Sequence, residues 1–157
     1  MARPRTIHAE LLTVFARVIV ICSYIDAAMS ELLAYLLHAD HARMYVVTQN
    51  VSAATLADWI RVLLTVPSVR IEAREELAAL LADADEVRGE RNALVHGLWS
   101  PGPEDLTAMV QTVRWDRSEV TKQELVTLAD LNDLLHRAEG ILREFRRFGR
   151  QLGLPGL

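Results

Sequence analysis

The amino-acid sequence predicts an all-α protein, an up-and-down four-helix bundle with a short extended or hairpin insertion before the last helix. Two observations lead to this class. First, 51 % of the 157 residues are hydrophobic but only 6 % are aromatic, and Gly (7) and Pro (5) are scarce. Second, apolar residues recur at spacings of three and four, the period of an amphipathic helix. No repeat or flexible linker divides the chain, so we expect a single domain over residues 1–157.

The first helix is expected to begin near Thr6, which would cap it, and to run to about His38. Its main apolar stripe is Leu12, Phe15, Ile19, Cys22, Ile25, Met29, Leu33 and Leu36. Further apolar residues on the other side are Val14, Ile21, Ala28 and Tyr35. A helix that is apolar on more than one face needs more than one cover, and in a bundle the second cover is often a second copy of the protein.

Arg3 and Arg5 precede this apolar segment, as basic residues precede the apolar core of a signal peptide. Charged residues interrupt it at Glu10, Arg17, Asp26 and Glu31. Each such charge at the centre of a bilayer costs roughly 2.5–3.5 kcal/mol. Because of these charges we expect no membrane span. Cys22 is the single cysteine, so no disulfide forms within the chain, and we expect a cytoplasmic protein.

Three more helices are predicted. Residues 39–51 form a loop, and Ser52 caps a short second helix that Pro67 ends. Ser68 is expected to cap the third helix, which stops at Gly97 in the left-handed conformation common after a helix C-terminus.

The helical period breaks after the third helix. Residues 100–103, Ser-Pro-Gly-Pro, are turn residues, and residues 109–115 favour extended chain. Residues 121–124, Thr-Lys-Gln-Glu, have the pattern of a capping box, so the last helix is expected to begin there and to reach about Gln151.

The residues that indicate chemistry lie near the end of the third helix. Arg91 stands where the apolar stripe of this helix requires an aliphatic residue, and a guanidinium cannot lose its proton when it is buried. It must therefore meet a partner, an anion or water. Asn92 and His96 are one turn apart and share a face, on which Gly89 would let another chain approach closely.

Arg91, the polar Asn92 and, after three more positions, His96 followed by Gly97 resemble the motif of the HEPN superfamily, the higher eukaryotes and prokaryotes nucleotide-binding domains. The resemblance extends to the helix order of the whole chain and implies a dimerising four-helix bundle. Many members are metal-independent endoribonucleases of toxin, defence or RNA-processing systems. By resemblance Arg91 binds the phosphate, His96 transfers the proton and Asn92 supplies an orienting hydrogen bond, with RNA as substrate and no cofactor.

An antitoxin is a possible partner. Members that pair with a nucleotidyltransferase antitoxin resemble one another in carrying Tyr two positions after the His, and Leu98 stands there in this chain. Control by adenylylation of that Tyr is therefore not supported, and the type of antitoxin is left open.

Metal-independent cleavage of RNA requires a base for the 2′-hydroxyl, an acid for the leaving 5′-oxygen and a cation for the charge on phosphorus. One chain offers one histidine and one arginine at this motif. A two-fold dimer through the third helix would bring His96 and Arg91 of both copies together. The helix C-terminus favours the imidazolium form of His96, which suits the acid.

A second interpretation gives the same residues a structural role. Arg91 would pair with a carboxylate of the first helix such as Asp26, and Asn92 and His96 would cap or cross-link helices. The chain would then be a non-catalytic HEPN-like binding or scaffold protein for a nucleotide or a partner protein, because a fold does not imply an activity.

Two further groups were weighed. Arg143, Arg146, Arg147 and Arg150 would either steer RNA toward the dimer or complement the dipole of the last helix. The formal charge of −4 argues against a protein whose whole surface binds nucleic acid. His38, Asp40 and His41 would begin a metal site, but no further ligand cluster follows them, so we expect no metal.

Overall fold

The structure is a computed structural model that describes residues 6–67, 69, 71, 73–114 and 119–154. Within this part the chain is mostly helical and forms five helices and one three-stranded sheet. The helices are α1 (Ala9–Leu36), α2 (His41–Thr48), α3 (Ala53–Thr65), α4 (Arg74–His96) and α5 (Leu128–Gln151). The strands β1 (Leu98–Pro101), β2 (Thr107–Arg114) and β3 (Glu119–Thr127) come between α4 and α5. The mostly helical class is confirmed, and the predicted short extended or hairpin insertion before the last helix is a three-stranded sheet.

The first helix begins three residues later than expected. His8 precedes it, and Nδ1 of its imidazole accepts a hydrogen bond of 3.3 Å from Glu10 N. Leu12 N donates to the carbonyl of the same residue at 3.5 Å. His8 therefore takes the capping position that the sequence suggested for Thr6.

The segment 39–51 is not the loop that was predicted, because it contains α2. Asp40 caps this helix: its carboxylate accepts a hydrogen bond of 2.8 Å from Arg43 N and lies 2.9 Å from Arg43 Nε. Met44 is buried, whereas the three apolar residues after it are exposed. The helix thus has no apolar stripe by which the sequence would reveal it.

The α3 helix agrees with its prediction. Ser52 caps it by accepting a hydrogen bond of 3.2 Å from Thr55 N, and the helix ends two residues before Pro67. The predicted cap of α4, Ser68, lies outside the described residues, and α4 begins at Arg74.

The sheet is antiparallel throughout, in the order β1-β2-β3. The turn after β1 has the predicted Ser-Pro-Gly-Pro residues, and Gly102 N closes it by donating to Thr107 O at 3.1 Å. A Cβ at Gly102 would collide with the side chain of Thr107, so only glycine fits there. In β3 one extra residue, Thr121, bulges out between its pairs with β2. Trp115, the end of the predicted extended run, lies outside the described residues.

The predicted capping box at residues 121–124 was wrong, because these residues belong to β3. The helix begins six residues later with a box of the same kind. Asp130 N donates to Thr127 Oγ1 at 3.1 Å, and Thr127 N donates to Asp130 Oδ2 at 2.9 Å. The end of α5 at Gln151 is as predicted.

The chain divides into two compact units, which we describe separately. The first consists of the described residues within Met1–Val20 and Val87–Arg137, and the second of those within Ile21–Glu86 and Ala138–Leu157. Buried in the first unit are Leu11, Val14, Val18, Ala108, Val110, Val126, Leu131, Leu134 and Leu135. Buried in the second are Cys22, Ile25, Met29, Leu32, Leu33, Leu56, Ile60, Leu77, Leu81, Leu142, Phe145 and Phe148. Each unit has an apolar interior of its own.

Among the described residues, α1 is long and apolar enough to cross a membrane, with 28 residues and a mean hydropathy of 1.9 over its most apolar window. One third of that window is buried in the protein. A mostly buried core helix of a soluble protein and a signal sequence pass the same test of length and composition, so the finding by itself is weak evidence for a span.

Candidate functional site

The three motif residues lie on the last two turns of α4, in the first unit. His96 is the final residue of the helix, and its side chain is exposed. Arg91 and Asn92 are half-buried. The imidazole of His96 is thus accessible to solvent, whereas the guanidinium of Arg91 is partly shielded.

Helix geometry separates the arginine from the histidine. Asn92 and His96 are four residues apart and share one face of α4, as predicted. Arg91 and His96 are five residues apart, which places their Cβ atoms about 140° apart around the helix axis. Alone, the helix does not direct both groups to one point, so a composite site needs either a long reach by Arg91 or residues from another chain.

The neighbouring Glu90 holds this part of α4 to α5. Arg137 donates two parallel hydrogen bonds to the Glu90 carboxylate, at 2.8 and 2.6 Å, and a third of 3.0 Å to Asp133. The hydrogen bond to Glu90 is the main cause that raises the pKa of Arg137 above its ordinary value, so this guanidinium stays charged. The i, i+4 spacing of Asp133 and Arg137 indicates the local part of this clamp, whereas the pair with Glu90 has no local signal in the sequence.

The residues after the motif are fixed by Trp99. Its indole Nε1 donates a hydrogen bond of 2.8 Å to Leu94 O, one of the carbonyls at the end of α4. Its ring packs against Phe15 of α1, with 4.9 Å between ring centroids and 31° between planes. The indole thus satisfies a carbonyl that the helix end would leave without an intrahelical donor.

Of the two glycines near the motif, Gly97 does not have the predicted conformation, and the surroundings of Gly89 are open. Gly97 was expected in the left-handed conformation, but its φ is not positive. A Cβ there would instead collide with Val110 of β2 and lie 3.0 Å from Ala93 O, so the residue is small because the sheet passes close to the helix end. A Cβ at Gly89 would meet nothing within 4 Å in this chain, so that part of α4 is open.

Several large apolar side chains of the first unit are exposed, two of them next to His96 in sequence. Val95 and Leu98, on either side of His96 in sequence, are 41 % and 47 % exposed. Leu12 and Ile19 are also exposed and lie one turn before and after Phe15, the residue that packs on Trp99. We call Leu12, Ile19, Val95 and Leu98 the motif-side surface. Exposed large apolar side chains are candidates for an interaction surface.

A cavity of about 570 Å³ lies against another side of α4. Gly89, Glu90, Ala93 and Leu94 line it together with residues of β3 and the beginning of α5. None of the three motif residues lines this cavity, so the cavity and the motif are separate features of the first unit.

The predicted RNA-binding arginines lie in the second unit. Arg143, Arg146, Arg147 and Arg150 are all exposed on one face of α5. Arg147 is paired with Glu144 at 2.8 Å and with Glu76 at 3.6 Å. Within the described part of the chain the other three arginines make no ion pair. The basic face therefore exists, with one of its four charges largely compensated.

Asp26, the alternative partner of Arg91, and the candidate metal ligands His38, Asp40 and His41 lie in the second unit. Asp26 lines a cavity of about 430 Å³ in the second unit, beside Ser30, whose hydroxyl is hydrogen-bonded to that of Thr48 at 3.1 Å. Asp40 serves as the cap of α2, and the described residues contain no group of three His, Cys, Asp or Glu side chains that could hold a metal.

No protein-family model, curated protein or solved structure matches this chain.

Proposed function

We propose that this protein is a HEPN-like endoribonuclease that cleaves RNA without a metal and acts as a homodimer in the cytoplasm. In this proposal α1, α3, α4 and α5 are the four helices of a HEPN-like bundle. The motif residues Arg91, Asn92 and His96 form the active site together with their copies in the second chain.

The observation that carries the proposal is the exposure of His96 beside an exposed apolar surface. One chain presents an accessible imidazole, flanked by Val95 and Leu98, on the last turn of a helix. A two-fold contact through the motif-side surface would bring two imidazoles together, because an isologous interface places identical residues near its axis. It would also bury the apolar side chains that one chain leaves in water.

The chemistry then follows from the residue types. One His96 takes the proton of the ribose 2′-hydroxyl, the 2′-oxygen attacks phosphorus, and the bond from phosphorus to the 5′-oxygen breaks. The other His96, as imidazolium, donates a proton to the leaving oxygen. Arg91 stabilises the charge on the phosphate oxygens, and Asn92 orients the histidine on its own face of α4. The products are a 2′,3′-cyclic phosphate and a 5′-hydroxyl.

The test is cleavage of RNA in the presence of a chelator by purified protein and by His96→Ala. We expect a loss of roughly 10²-fold or more, the usual contribution of a general acid or base. His136→Ala is the matched control, since this histidine is also exposed on a helix of the first unit and its Nδ1 lies 2.7 Å from Asn132 O of its own helix. Equal cleavage by both variants, or cleavage that stops on chelation, would contradict the proposal.

A second candidate is a non-catalytic HEPN-like binding or scaffold protein. Arg91 and His96 lie on different sides of α4, and this separation favours the non-catalytic candidate. A single chain then offers a cation for a phosphate, but its one motif histidine does not supply an acid and base pair. In that case RNA or a nucleotide binds without being cut, and Arg91→Ala weakens the binding while His96→Ala does not. A protein partner, including an antitoxin, would be recovered with the catalytic variants as readily as with the unaltered protein.

A further inference from the structure

The outer edge of the sheet has a feature that the proposed function does not use. β3 is the last strand in the order β1-β2-β3, and among the described residues it is hydrogen-bonded to a strand on one side only. The cavity of about 570 Å³ adjoins this strand, since Lys122, Glu124, Leu125 and Val126 line it. Space rather than packed side chains therefore lies beside this part of β3. An unpaired edge of this kind is a template for a further strand.

The charges on β3 are self-complementary. Lys122 and Glu124 project from the same face of the strand, are 62 % and 48 % exposed, and form an ion pair of 2.5 Å across Gln123. If a second β3 lay antiparallel to the first with Gln123 opposite Gln123, each lysine would face the glutamate of the other copy. Opposite charges directly across a strand pair favour the pairing, and like charges oppose it.

We propose that β3 pairs with β3 of a second copy of this chain, antiparallel and centred on Gln123. The pairing joins two three-stranded sheets into one of six strands and places alternating positive and negative side chains on one face. The bulge at Thr121 ends the regular ladder on each side, so the contact is short and closed by its two-fold axis rather than extendable.

This inference does not depend on the proposed ribonuclease activity. It uses an interface different from the motif-side surface, and a protein with both contacts would form assemblies larger than a dimer. The experiment is therefore made in a Val95→Glu background, which removes the motif-side contact. In this background, association of the protein measures the β3 contact without a contribution from the motif-side contact.

The test exchanges the charges of β3. Lys122→Glu and Glu124→Lys each place like charges opposite each other in a self-pair, so we expect each variant to be monomeric in sedimentation velocity at concentrations at which the parent is a dimer. A mixture of the two variants restores opposite charges and should recover the dimer. The double variant Lys122→Glu/Glu124→Lys should recover it alone. Glu104→Lys, an exposed charge reversal in the loop between β1 and β2, should change nothing.

A second measurement locates the contact. Lys122 is the only lysine of the chain, so a carbodiimide, which joins an amine to a carboxylate, has one side-chain amine to use. In a mixture of ¹⁴N and ¹⁵N protein we expect a linked peptide that joins Lys122 of one isotope to Glu124 of the other. The proposal is overturned if the parent stays monomeric, if the mixture fails to reassociate, or if links form only within one chain. Any of these results would show that Lys122 and the bulge protect the edge of the sheet instead.

Discussion

At the scale of single residues, the two glycines of the motif region have opposite packing. Gly97→Ala places a methyl group against Val110 and close to Ala93 O, and overpacking of this kind typically costs about 1–3 kcal/mol of stability. Gly89→Ala meets nothing and removes a poor helix former, so it should stabilise the protein by up to about 1 kcal/mol. Urea unfolding of both variants measures the difference. Equal midpoints would mean that β2 does not pass Gly97 as the structure shows.

The same residues show what the sequence could and could not predict of the site. The spacing of Arg91, Asn92 and His96 was enough to place them at the end of a helix, because that spacing is local. The reason for Gly97 was not available, since it depends on how closely Val110 approaches the end of α4, and the extended run predicted at residues 109–115 does not fix that packing. The clamp from Arg137 to Glu90 joins residues 47 positions apart, and no local pattern predicts such a pair.

At the scale of elements, the beginning of α5 depends on one reciprocal pair of side chains. Thr127→Ala removes the oxygen that accepts from Asp130 N, and Asp130→Ala removes the acceptor of Thr127 N. Loss of an N-cap costs about 0.5–2 kcal/mol. Thr121→Val, at the cap that the sequence suggested, should cost less because no helix begins there and valine favours a strand. The denaturation midpoints of the three variants test this prediction. A larger loss of stability for Thr121→Val would contradict the assignment of residues 121–124 to β3.

The error at this cap has a physical cause. Residues 121–124 and 127–130 both have the pattern of a threonine followed three positions later by an acidic residue, and each pattern by itself can start a helix. Residues 121–124 pair with β2, for example Lys122 with Thr112, and are therefore part of β3. Residues 127–130 are left to begin α5. Ser52 had no such competitor, and its prediction was correct. Tertiary pairing therefore decides between local signals of similar strength.

The basic face of α5 yields a prediction about salt. If it binds RNA as proposed, Arg143→Gln, Arg146→Gln and Arg150→Gln should each lower the slope of log affinity against log salt concentration by about 0.7, the value per phosphate contact for single strands. Arg147→Gln should change the slope less, because Glu144 and Glu76 already compensate that charge. Titrations of a labelled oligonucleotide at several salt concentrations measure this. Four equal slopes, unchanged from the parent, would exclude this face from the binding site.

At the scale of the whole molecule, the first helix carries the argument for assembly. The sequence indicated apolar residues on more than one face of α1, and the structure covers only part of them. Leu11, Val14 and Val18 are buried, whereas Leu12 and Ile19, which the predicted stripe contained, stay exposed. The sequence could not show which face the protein itself covers, because neighbouring apolar positions on a helix look alike until the packing is known. The uncovered face is the one that a second chain would use.

The proposed assembly can be tested without altering the proposed catalytic groups. Val95→Glu keeps His96, Asn92 and Arg91 and alters a side chain that is 41 % exposed, so the fold should be retained. In a two-fold contact it places two negative charges near each other in an apolar surface, which should weaken the dimer by roughly 100-fold or more. Because the proposed site needs a histidine from each chain, cleavage should fall with the dimer population and recover as protein concentration is raised. Val62→Glu, at an exposed valine of α3, is the control and should leave both association and cleavage unchanged. Cleavage that persists at full rate in a monomeric Val95→Glu protein would show that a single chain completes the site, and the two-fold model would then be wrong.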